Sequence, residues 1–591
     1  SSLIKEVQKA KWKVRDALRC FIAQYPTSGR HWRMLIEYEL RRGHYERADR
    51  LLAQAMLATG HASLELWDLQ FLRVTDKYEE SVEKRKKATG GGDKYADITV
   101  ESEERHEQEQ ASAMYDRGLM HVGGDFKALK LWRSYMKFVK DWPQRTQAEK
   151  DRQRDKLRSI HQRALCIPID GVEDVWRDYE QFERSIEGNE TLGGKLLDKH
   201  RGLFNSARQM LPRRRAQWEG VDVLRLARPP TAPLEHDDRE QVRGWKRRLA
   251  FESENFERLE RDELRVRVRH SYEQCVACLR FYPEIWLEYA MWEARHESAS
   301  SVQQQAAASS GGGGGGPASS SMNDDMAGAS AGAAAAAAVG AEAGSLSIVS
   351  SVSLAEAVYR RALTVLPECT VLHLALAELL EARGTQVGLS GARRVYASLV
   401  KTVPSSDMAW ALYQRFVRRT EGKAAARQVF ALTQTARSRG ELGRHLYLSH
   451  ALLEWHANAE PTIALKVFQQ AVRRHPHFLH CSDFVLSYAE LLVSRQDVRD
   501  ARSLYERATA AMDHAVDAAA GGAPLATTLP QPGPKALWLA YMRFEVLHAS
   551  CPRDSARLRD LEVRMQASRA VRESGREEGA LRRGRGGGGS G

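Results

Sequence analysis

A pair of cysteines, Cys275 and Cys278, has the spacing of a zinc-ligand pair or of a redox-active dithiol. A zinc site would need a second pair of cysteines or histidines at suitable spacing, and none lies nearby in the sequence. The pair also falls within a predicted helix, at a position that small residues occupy in similar helices. We therefore interpret both residues as packing residues and predict no metal and no cofactor.

The segment 475–481, His-Pro-His-Phe-Leu-His-Cys, is the densest group of possible metal ligands. It occupies a predicted loop, where polar residues are common, and no carboxylate or cysteine framework completes it. The six glycines from Gly311 follow no strand and lack the Lys-Ser/Thr ending of a phosphate-binding loop. No Ser/His/Asp set, paired-carboxylate site or nucleotide fingerprint is present, so we predict that the chain is not an enzyme.

A tryptophan phrase recurs along the chain, in which Trp is followed by Tyr at +3 and Glu at +7. These offsets place the three side chains on one stripe of an α-helix. The complete copies are Trp176/Tyr179/Glu183, Trp286/Tyr289/Glu293 and Trp538/Tyr541/Glu545, and partial copies begin at Trp32, Trp67, Trp132, Trp245 and Trp410.

A second phrase follows each tryptophan phrase, and its clearest form is 501–508, Ala-Arg-Ser-Leu-Tyr-Glu-Arg-Ala. Small residues at 0 and +7, here Ala501 and Ala508, allow close helix packing, while the aromatic residue at +4, Tyr505, fills the space beside them. Further copies begin at Ala111, Ala355, Ala392, Ala426 and Ala464.

The alternation of the two phrases predicts an all-α fold, an α-solenoid of about twelve helix pairs in two arms. Each pair consists of a first helix with the tryptophan phrase and a second helix with the alanine phrase. Such folds act by holding partners. The aromatic stripes could instead form stacking platforms for RNA bases, but their helical spacing favours a core position. We expect the Glu at +7 to reach a basic residue or a backbone donor on the paired helix rather than to act as a general base.

The composition is that of a soluble helical protein without a membrane segment. The 591 residues are 43% hydrophobic and 28% charged, no apolar run approaches the ~18 residues of a membrane span, and the N-terminus has no signal-like segment. Seven cysteines, an odd number, indicate free thiols in a reducing compartment. The net charge of +12 permits contact with nucleic acid or an acidic partner. The absence of an initial Met suggests a fragment of a longer product.

Proline and low-complexity segments divide the predicted solenoid. We expect an N-terminal domain at 1–218 with units one to five, a linker at 219–240, a C-terminal domain at 241–568 with units six to twelve, and an Arg/Gly tail at 569–591. The tail and three insertions within the domains have compositions that cannot bury enough apolar surface to fold alone, so we predict that they are disordered. The insertions are 77–110, 298–350 and 515–534.

Two basic clusters flank the predicted linker and could contact RNA phosphate or an acidic partner. The alternative is that they form ordinary solvated helix faces. The clusters consist of Arg213, Arg214, Arg215, Lys246, Arg247 and Arg248.

Taken together, the two phrases resemble the half-a-TPR (HAT) repeat, and several segments resemble the suppressor-of-forked family. The segments are 175–183, 241–246, 271–275, 283–286, 483–488 and 501–507. The resemblance implies a non-catalytic scaffold in nuclear pre-mRNA 3′-end cleavage and polyadenylation. It also implies a homodimer that bridges the RNA-binding and WD-repeat subunits of cleavage stimulation factor and the cleavage and polyadenylation specificity factor, with mostly indirect RNA contact.

In such a dimer the contact would fall at about 408–513. Tyr447, Trp455, Phe484 and Tyr488 are candidates, although each could equally belong to the core of the arm. The long Gly/Ala insertion and the lack of a Pro-rich C-terminal segment depart from the family pattern. The alternatives are a HAT scaffold of the spliceosome or of ribosomal RNA maturation, or a TPR-like adaptor that binds short peptides through carboxylate clamps.

Overall fold

The computed structural model describes residues 14–89, 94–186, 190–231, 235–310, 353–436, 443–520, 534–548, 556 and 558–566, which form helices and the loops that connect them. Within these ranges there is no β-strand, and no helix has the length and apolarity needed to cross a bilayer. The predicted all-α fold of paired helices is therefore confirmed.

The chain divides into two compact units, residues 1–372 and 373–591. The boundary lies within a helix, α14 (Thr370–Ala382), and not in the proline-containing segment 219–240. The helices of the first unit are α1 Val14–Gln24, α2 Gly29–Arg41, α3 Tyr45–Ala58, α4 Leu64–Thr89, α5 Lys94–Val122, α6 Leu129–Lys140, α7 Gln147–Leu165, α8 Val172–Arg184, α9 Glu190–Trp218, α10 His236–Ser253, α11 Arg261–Leu279, α12 Pro283–Ser310 and α13 Leu354–Val365.

The second unit continues the alternation of first and second helices. One of its first helices, α18, ends in a π-helical turn, Leu453–Ala457, and a short 3₁₀ helix, Pro476–His480, precedes α20. The helices that follow α14 are α15 Gln386–Thr402, α16 Asp407–Thr420, α17 Lys423–Ala436, α18 Arg444–Leu452, α19 Pro461–Arg474, α20 Ser482–Ser494, α21 Val498–Ala520 and α22 Pro534–Leu547.

Local chemistry explains where many of these helices begin and end. Thr146 and Glu149 form a capping box at the start of α7, in which each side chain bonds the backbone N–H of the other residue. Ser353 and Ser406 accept backbone N–H groups at the starts of α13 and α16. Prolines 367, 404 and 476 follow closely on the ends of α13, α15 and α19, because proline cannot continue a helix.

The charged insertion 77–110 is not a disordered loop, and this prediction is wrong for most of its length. Helices α4 and α5 extend through it and leave only residues 90–93 outside the described part. Tyr78 is buried, and the buried carboxylate of Glu104 pairs with Arg85 at 3.0 Å and with Arg145 at 3.1 Å. Since Glu, Lys and Arg are good helix formers, a charged segment can extend a helix pair when its charges find partners.

The predicted bounds of the other two insertions and of the linker also differ from the helix ends in the structure. Helix α12 continues to Ser310 and α21 to Ala520, so 298–310 and 515–520 are helical rather than disordered. Within 219–240, residues 219–231 contain no helix, but α10 already begins at His236. The remaining parts of the two insertions, 311–350 and 521–533, and the tail 569–591 lie outside the described residues.

Candidate functional site

The two sequence phrases meet in one recurring contact, in which the second helix of one helix pair packs on the first helix of the next pair. We call this contact the inter-unit seam, because each helix pair is one repeat unit. In the last described seam, the ring of Tyr505 at +4 stacks on the ring of Tyr541 at +3, with centroids 4.9 Å apart and planes within 10°. Such pairs add about 0.5–1.5 kcal/mol beyond area burial. Equivalent stacks are Tyr115 on Tyr135 at 4.7 Å, Tyr272 on Tyr289 at 4.8 Å and Phe468 on Tyr488 at 4.8 Å.

Histidine replaces one ring of the stack in two seams. His161 lies at +4 in α7 and stacks on Tyr179 at 5.7 Å, while His450 lies at +3 in α18 and stacks on Phe430 at 3.8 Å. Both histidines are buried, and burial lowers their pKa values to about 4. A neutral imidazole therefore serves as a flat packing ring in these positions.

An arginine–glutamate pair joins the same two helices beside the stack. The Glu at +7 of the first helix accepts both arms of the Arg at +1 of the preceding second helix, as Glu545 does from Arg502 at 2.7 and 2.9 Å. The carboxylate is fully buried, whereas the guanidinium keeps an exposed edge. The other pairs of this kind in the described residues are Arg15–Glu39, Arg158–Glu183, Arg269–Glu293 and Arg427–Glu454.

The charge of the seam carboxylates is supported by their partners. Burial by itself would raise the pKa of Glu454, but the two hydrogen bonds from Arg427 outweigh it and hold the pKa below its ordinary value. Glu39 behaves in the same way, with Arg15 as its chief partner. Each of these carboxylates is bound by an arginine and buried, so it joins helices rather than standing free to take a proton from a substrate.

The indole of the tryptophan phrase anchors the loop that enters its helix. Trp286 Nε1 donates to the carbonyl of Arg280 at 2.8 Å, six residues earlier, and thereby closes the turn between α11 and α12. The same six-residue bond joins Trp32 to Pro26, Trp67 to His61 and Trp410 to Pro404.

The eleven residues that the sequence assigns to the repeat core lie at the seams. All are buried except Trp176, which is half-buried and stacks on Phe204 of α9 at 4.7 Å. The remaining ten are Tyr179, Glu183, Trp286, Tyr289, Glu293, Ala501, Tyr505, Trp538, Tyr541 and Glu545.

Three of the four candidate dimer residues are inside the second unit and cannot reach a second copy while its helices remain paired. Tyr447 and Phe484 have no exposed surface, and Tyr488 has 9%. These three therefore belong to the core of the arm, the alternative that the sequence left open. Trp455 is half-buried on the π-helical turn and stacks on His456 at 4.2 Å.

The two basic clusters are not continuous surfaces, and the expectation of a phosphate contact is wrong for two of their members. Arg214 and Arg248 are buried, with exposed fractions of 3% and 2%. The other four lie at the surface: Arg213 is exposed, Arg215 pairs with Asp170 at 2.9 Å, Lys246 pairs with Glu284 at 2.6 Å, and Arg247 donates to the carbonyl of Glu219 at 2.6 Å.

The two buried arginines belong to a polar cluster, the arm joint, that connects the predicted arms inside the first unit. At one side of the joint, fully buried Asp125 accepts from His270 Nε2 and from Gln274 Nε2, both at 2.9 Å. Arg248 donates to Gln274 Oε1 at 2.8 Å and covers the ring of Trp218 at 3.9 Å. A loop of the first arm is thus bonded to α11 of the second.

The other side of the arm joint is centred on Arg214 of α9. Its guanidinium bonds Glu252 of α10 at 2.9 Å and the backbone carbonyls of Gly124 and Pro168 at 3.2 and 3.3 Å. Burial by itself would raise the pKa of Glu252, but Arg214 and its neighbour Arg267 outweigh it and keep the carboxyl charged. The pKa of Asp125 is likewise held low, against burial, by the bond from His270 and by nearby Arg248.

Sequence reasoning found Arg214 and Arg248 but missed the residues that hold them. Asp125 and His270 are separated by 145 residues, and helical periodicity says nothing about contacts over such a distance. A run of buried polar residues in α11, 270–274, is the one local sign that this helix packs on several sides.

The cysteines and histidines that the sequence offers as possible metal ligands lie in packed positions or around a short helix. Cys275 and Cys278 are buried in α11, and burial raises the pKa of Cys278 to about 12, which keeps this thiol protonated. The histidines of 475–481 lie around the 3₁₀ helix, where His475 stacks on Phe478 at 4.9 Å. Among the described side chains, no three His, Cys, Asp or Glu residues are grouped so that they could hold a metal ion.

Paired helices joined by recurring seams define the class of this protein, a HAT-type helical-repeat protein. The crystal structure of CstF-77 has a similar fold, with a TM-score of 0.50 and 14% sequence identity over 92% of this chain and 89% of that one. A profile of the family described as suppressor of forked protein (Suf) matches residues 1–573. The chain belongs to this family, and the resemblance inferred from the sequence is confirmed.

Curated relatives carry names from mRNA 3′-end formation. Cleavage stimulation factor subunit 77 of Arabidopsis thaliana is 25% identical over 573 residues, and protein suppressor of forked of Drosophila melanogaster is 24% identical over 511. These alignments cover 95% and 86% of this chain but 62% and 61% of the relatives. The chain thus spans about three-fifths of the length of these two relatives.

Replacement of Glu183 by Gln should weaken the seam between α7 and α8. Arg158 bonds both oxygens of this buried carboxylate, at 2.7 and 3.0 Å, and loss of one partner of a buried pair costs about 3 kcal/mol. Hydrogen exchange of the α7 and α8 amides should become roughly a hundredfold faster. Glu180→Gln is the matched control, because it breaks an exposed pair with Arg184 within α8. Equal effects of the two substitutions would show that the seam pair contributes nothing special.

Replacement of His161 by Phe should reduce the sensitivity of the protein to acid. The pKa of His161 is about 4 in the folded chain and about 6.5 in an unfolded one, so the unfolded state binds the proton more tightly. The neutral His161 ring therefore makes its full contribution to the free energy of unfolding above about pH 6.5, and this contribution is lost as the pH falls towards 4. The urea midpoint of the wild type should therefore fall more than that of H161F between about pH 7.5 and about pH 5.

His236→Phe is the control for this comparison, because the side chain of His236 is 80% exposed. Its urea midpoint should change with pH as the wild-type midpoint does. If H161F lost as much stability in acid as the wild type, protonation of His161 would not be a cause of the loss.

Replacement of Asp125 by Asn should loosen the arm joint. An amide NH₂ in place of one carboxylate oxygen would face the donors of His270 and Gln274 and would leave Arg248 without its nearest charge, 3.8 Å away. We expect a cost of about 3–5 kcal/mol and faster hydrogen exchange in both 123–128 and 268–278. Asp141→Asn, at an exposed position after α6, should change neither segment. Faster exchange in 123–128 alone would mean that Asp125 stabilises its own loop and not the joint.

Proposed function

We propose that this chain is a non-catalytic scaffold of the nuclear pre-mRNA 3′-end cleavage and polyadenylation machinery. The observation that carries the proposal is the family match over residues 1–573, together with relatives named for cleavage stimulation and mRNA 3′-end processing. The partners we infer are the RNA-binding and WD-repeat subunits of cleavage stimulation factor and the cleavage and polyadenylation specificity factor, with RNA reached mainly through them.

The contacts of the buried glutamate and histidine side chains support a scaffold rather than an enzyme. The seam carboxylates Glu183, Glu293 and Glu545 are bound by arginines, and the buried imidazoles of His161 and His450 serve as stacking rings. These buried carboxylates and imidazoles therefore join one helix pair to the next. The outward faces of the helices remain for partners.

We further propose that the protein forms a homodimer through its C-terminal domain, 241–568. Of the four aromatic candidates, Trp455 alone combines accessible surface with a position on an irregular π-helical turn, a feature that is frequent at functional sites. Buried Tyr447, Phe484 and Tyr488 would act indirectly, by holding the helices that present the contact.

Light scattering of the full chain over a dilution series tests the dimer. We expect twice the chain mass of 66.5 kDa, and we expect Trp455→Ala to shift dissociation to at least roughly tenfold higher concentration. Leu72→Ala is the control, because Leu72 is apolar and 53% exposed but lies in the first unit. A monomer at every concentration would contradict the dimer without affecting the assignment to 3′-end processing.

The process itself is tested in a nuclear extract depleted of this protein. Cleavage at a polyadenylation site should be lost while splicing of an intron-containing transcript continues, and the added wild-type protein should restore cleavage. Loss of splicing with intact cleavage would favour a spliceosomal HAT scaffold. Loss of ribosomal RNA maturation alone would favour the corresponding alternative.

A further inference from the structure

Helix α6 presents a row of cations on one face, which we call the α6 stripe: Lys130, Arg133, Lys137 and Lys140. Their spacing of three and four residues places them one above another over about 15 Å of helix. Between Leu129 and Asp141 the helix contains no acidic residue. A cavity of about 340 Å³ lies along the stripe and is lined by Leu129, Lys130, Arg133, Ser134 and Lys137.

The first half of the stripe already binds carboxylates from the two neighbouring first helices. Lys130 Nζ lies 2.7 Å from Asp68 of α4, and Arg133 lies 3.3 Å from Asp174 of α8. Both cations nevertheless stay accessible, with side-chain exposures of 71% and 48%. These contacts show that carboxylates fit against this face from either side.

The second half of the stripe has no such partners among the described residues. Lys137 and Lys140 are exposed, and neither forms an ion pair within the described part of the chain. These two neighbouring ammonium groups, of which Lys137 lines the cavity, therefore form a site of unmatched positive charge.

We propose that the α6 stripe binds an extended acidic segment of a partner protein. Carboxylates of the segment would pair with Lys137 and Lys140, and the segment would lie in the cavity, where the hydroxyl of Ser134 can bond its backbone. Cations one helical turn apart match alternate side chains of an extended peptide, which lie about 6–7 Å apart.

Single-stranded RNA fits the stripe less well. Such RNA binds proteins through accessible aromatic rings combined with basic grooves. The two rings of α6, Trp132 and Tyr135, are buried at 2% and 0% exposure and are occupied by packing within the unit. Asp68 and Asp174 also neutralise the first half of the stripe, which leaves too few free cations to follow a phosphate backbone.

This inference deepens the scaffold proposal, since it rests on that function and names the chemistry of one partner. Its test uses the isolated full chain, so that its failure would leave the dimer and cleavage experiments untouched. The probes are a fluorescein-labelled peptide of alternating Glu and Ser and a labelled uridine oligonucleotide. Binding of each is followed by fluorescence anisotropy at an ionic strength of about 0.05 M.

The variant K137E/K140E should bind the acidic peptide at least roughly tenfold more weakly than the wild type. The matched control K195E/K199E changes the net charge of the chain by the same amount, at two exposed lysines of α9 in the same unit. It should change the affinity less than about twofold. All four side chains are exposed, so circular dichroism should show unchanged helicity in both variants.

Three results would overturn the proposal. Equal weakening by the two double variants would mean that the net charge of the chain, not the stripe, attracts the peptide. Binding of the oligonucleotide but not of the peptide, with loss in K137E/K140E, would identify the stripe as an RNA contact. No binding of the peptide by the wild type at low salt would show that the stripe is an ordinary solvated helix face.

Discussion

The structure depends on the inter-unit seam, in which a second helix is joined to the next first helix by an aromatic stack, a buried arginine–glutamate pair, or both. A single helix pair cannot bury its apolar face, so a unit is stable only when a neighbour covers it. The seam supplies both attraction and register. Stacked rings such as Tyr505 and Tyr541 fill the space, and the fork of Arg502 on Glu545 permits one alignment of the two helices. Small residues at 0 and +7 allow the helices to come close enough for both contacts.

The arm joint applies the same chemistry within the first compact unit, where the loop at 123–128 and helices α9, α10 and α11 are held together. Burying Asp125, Arg214, Arg248 and Glu252 costs solvation energy, and the cost is offset only because every charge lies against an opposite one or accepts several hydrogen bonds. A joint of this kind tolerates little displacement, since any shift would leave a buried charge unpaired. The sequence predicts a linker between arms at 219–240, but α10 already begins within this segment and is held to α9 by the pair of Arg214 and Glu252.

Consecutive basic residues show why a charge cluster in a sequence is a poor guide to a surface. In a helix each residue turns about 100° from the one before. The middle member of 213–215 therefore points into the joint while its neighbours reach solvent, and the last member of 246–248 does the same. A real surface row needs the spacing of Lys130, Arg133, Lys137 and Lys140. The sequence contained that row too, but only the positions of Asp68 and Asp174 on other helices show which of its members are already paired.

The sequence by itself determined the helix pairs, the helix ends that prolines mark and the residues of the two recurring phrases, because these depend on contacts three to seven residues apart and on a repeating pattern. It also determined the family, since the two phrases recur with their spacing intact. The tertiary structure decided which arginine each glutamate binds, that Tyr447, Phe484 and Tyr488 are core, that 77–110 continues a helix pair, and that Asp125 meets His270 across 145 residues. Those outcomes depend on which surfaces the folded chain brings together, and contacts between residues far apart in the chain leave no period in the sequence.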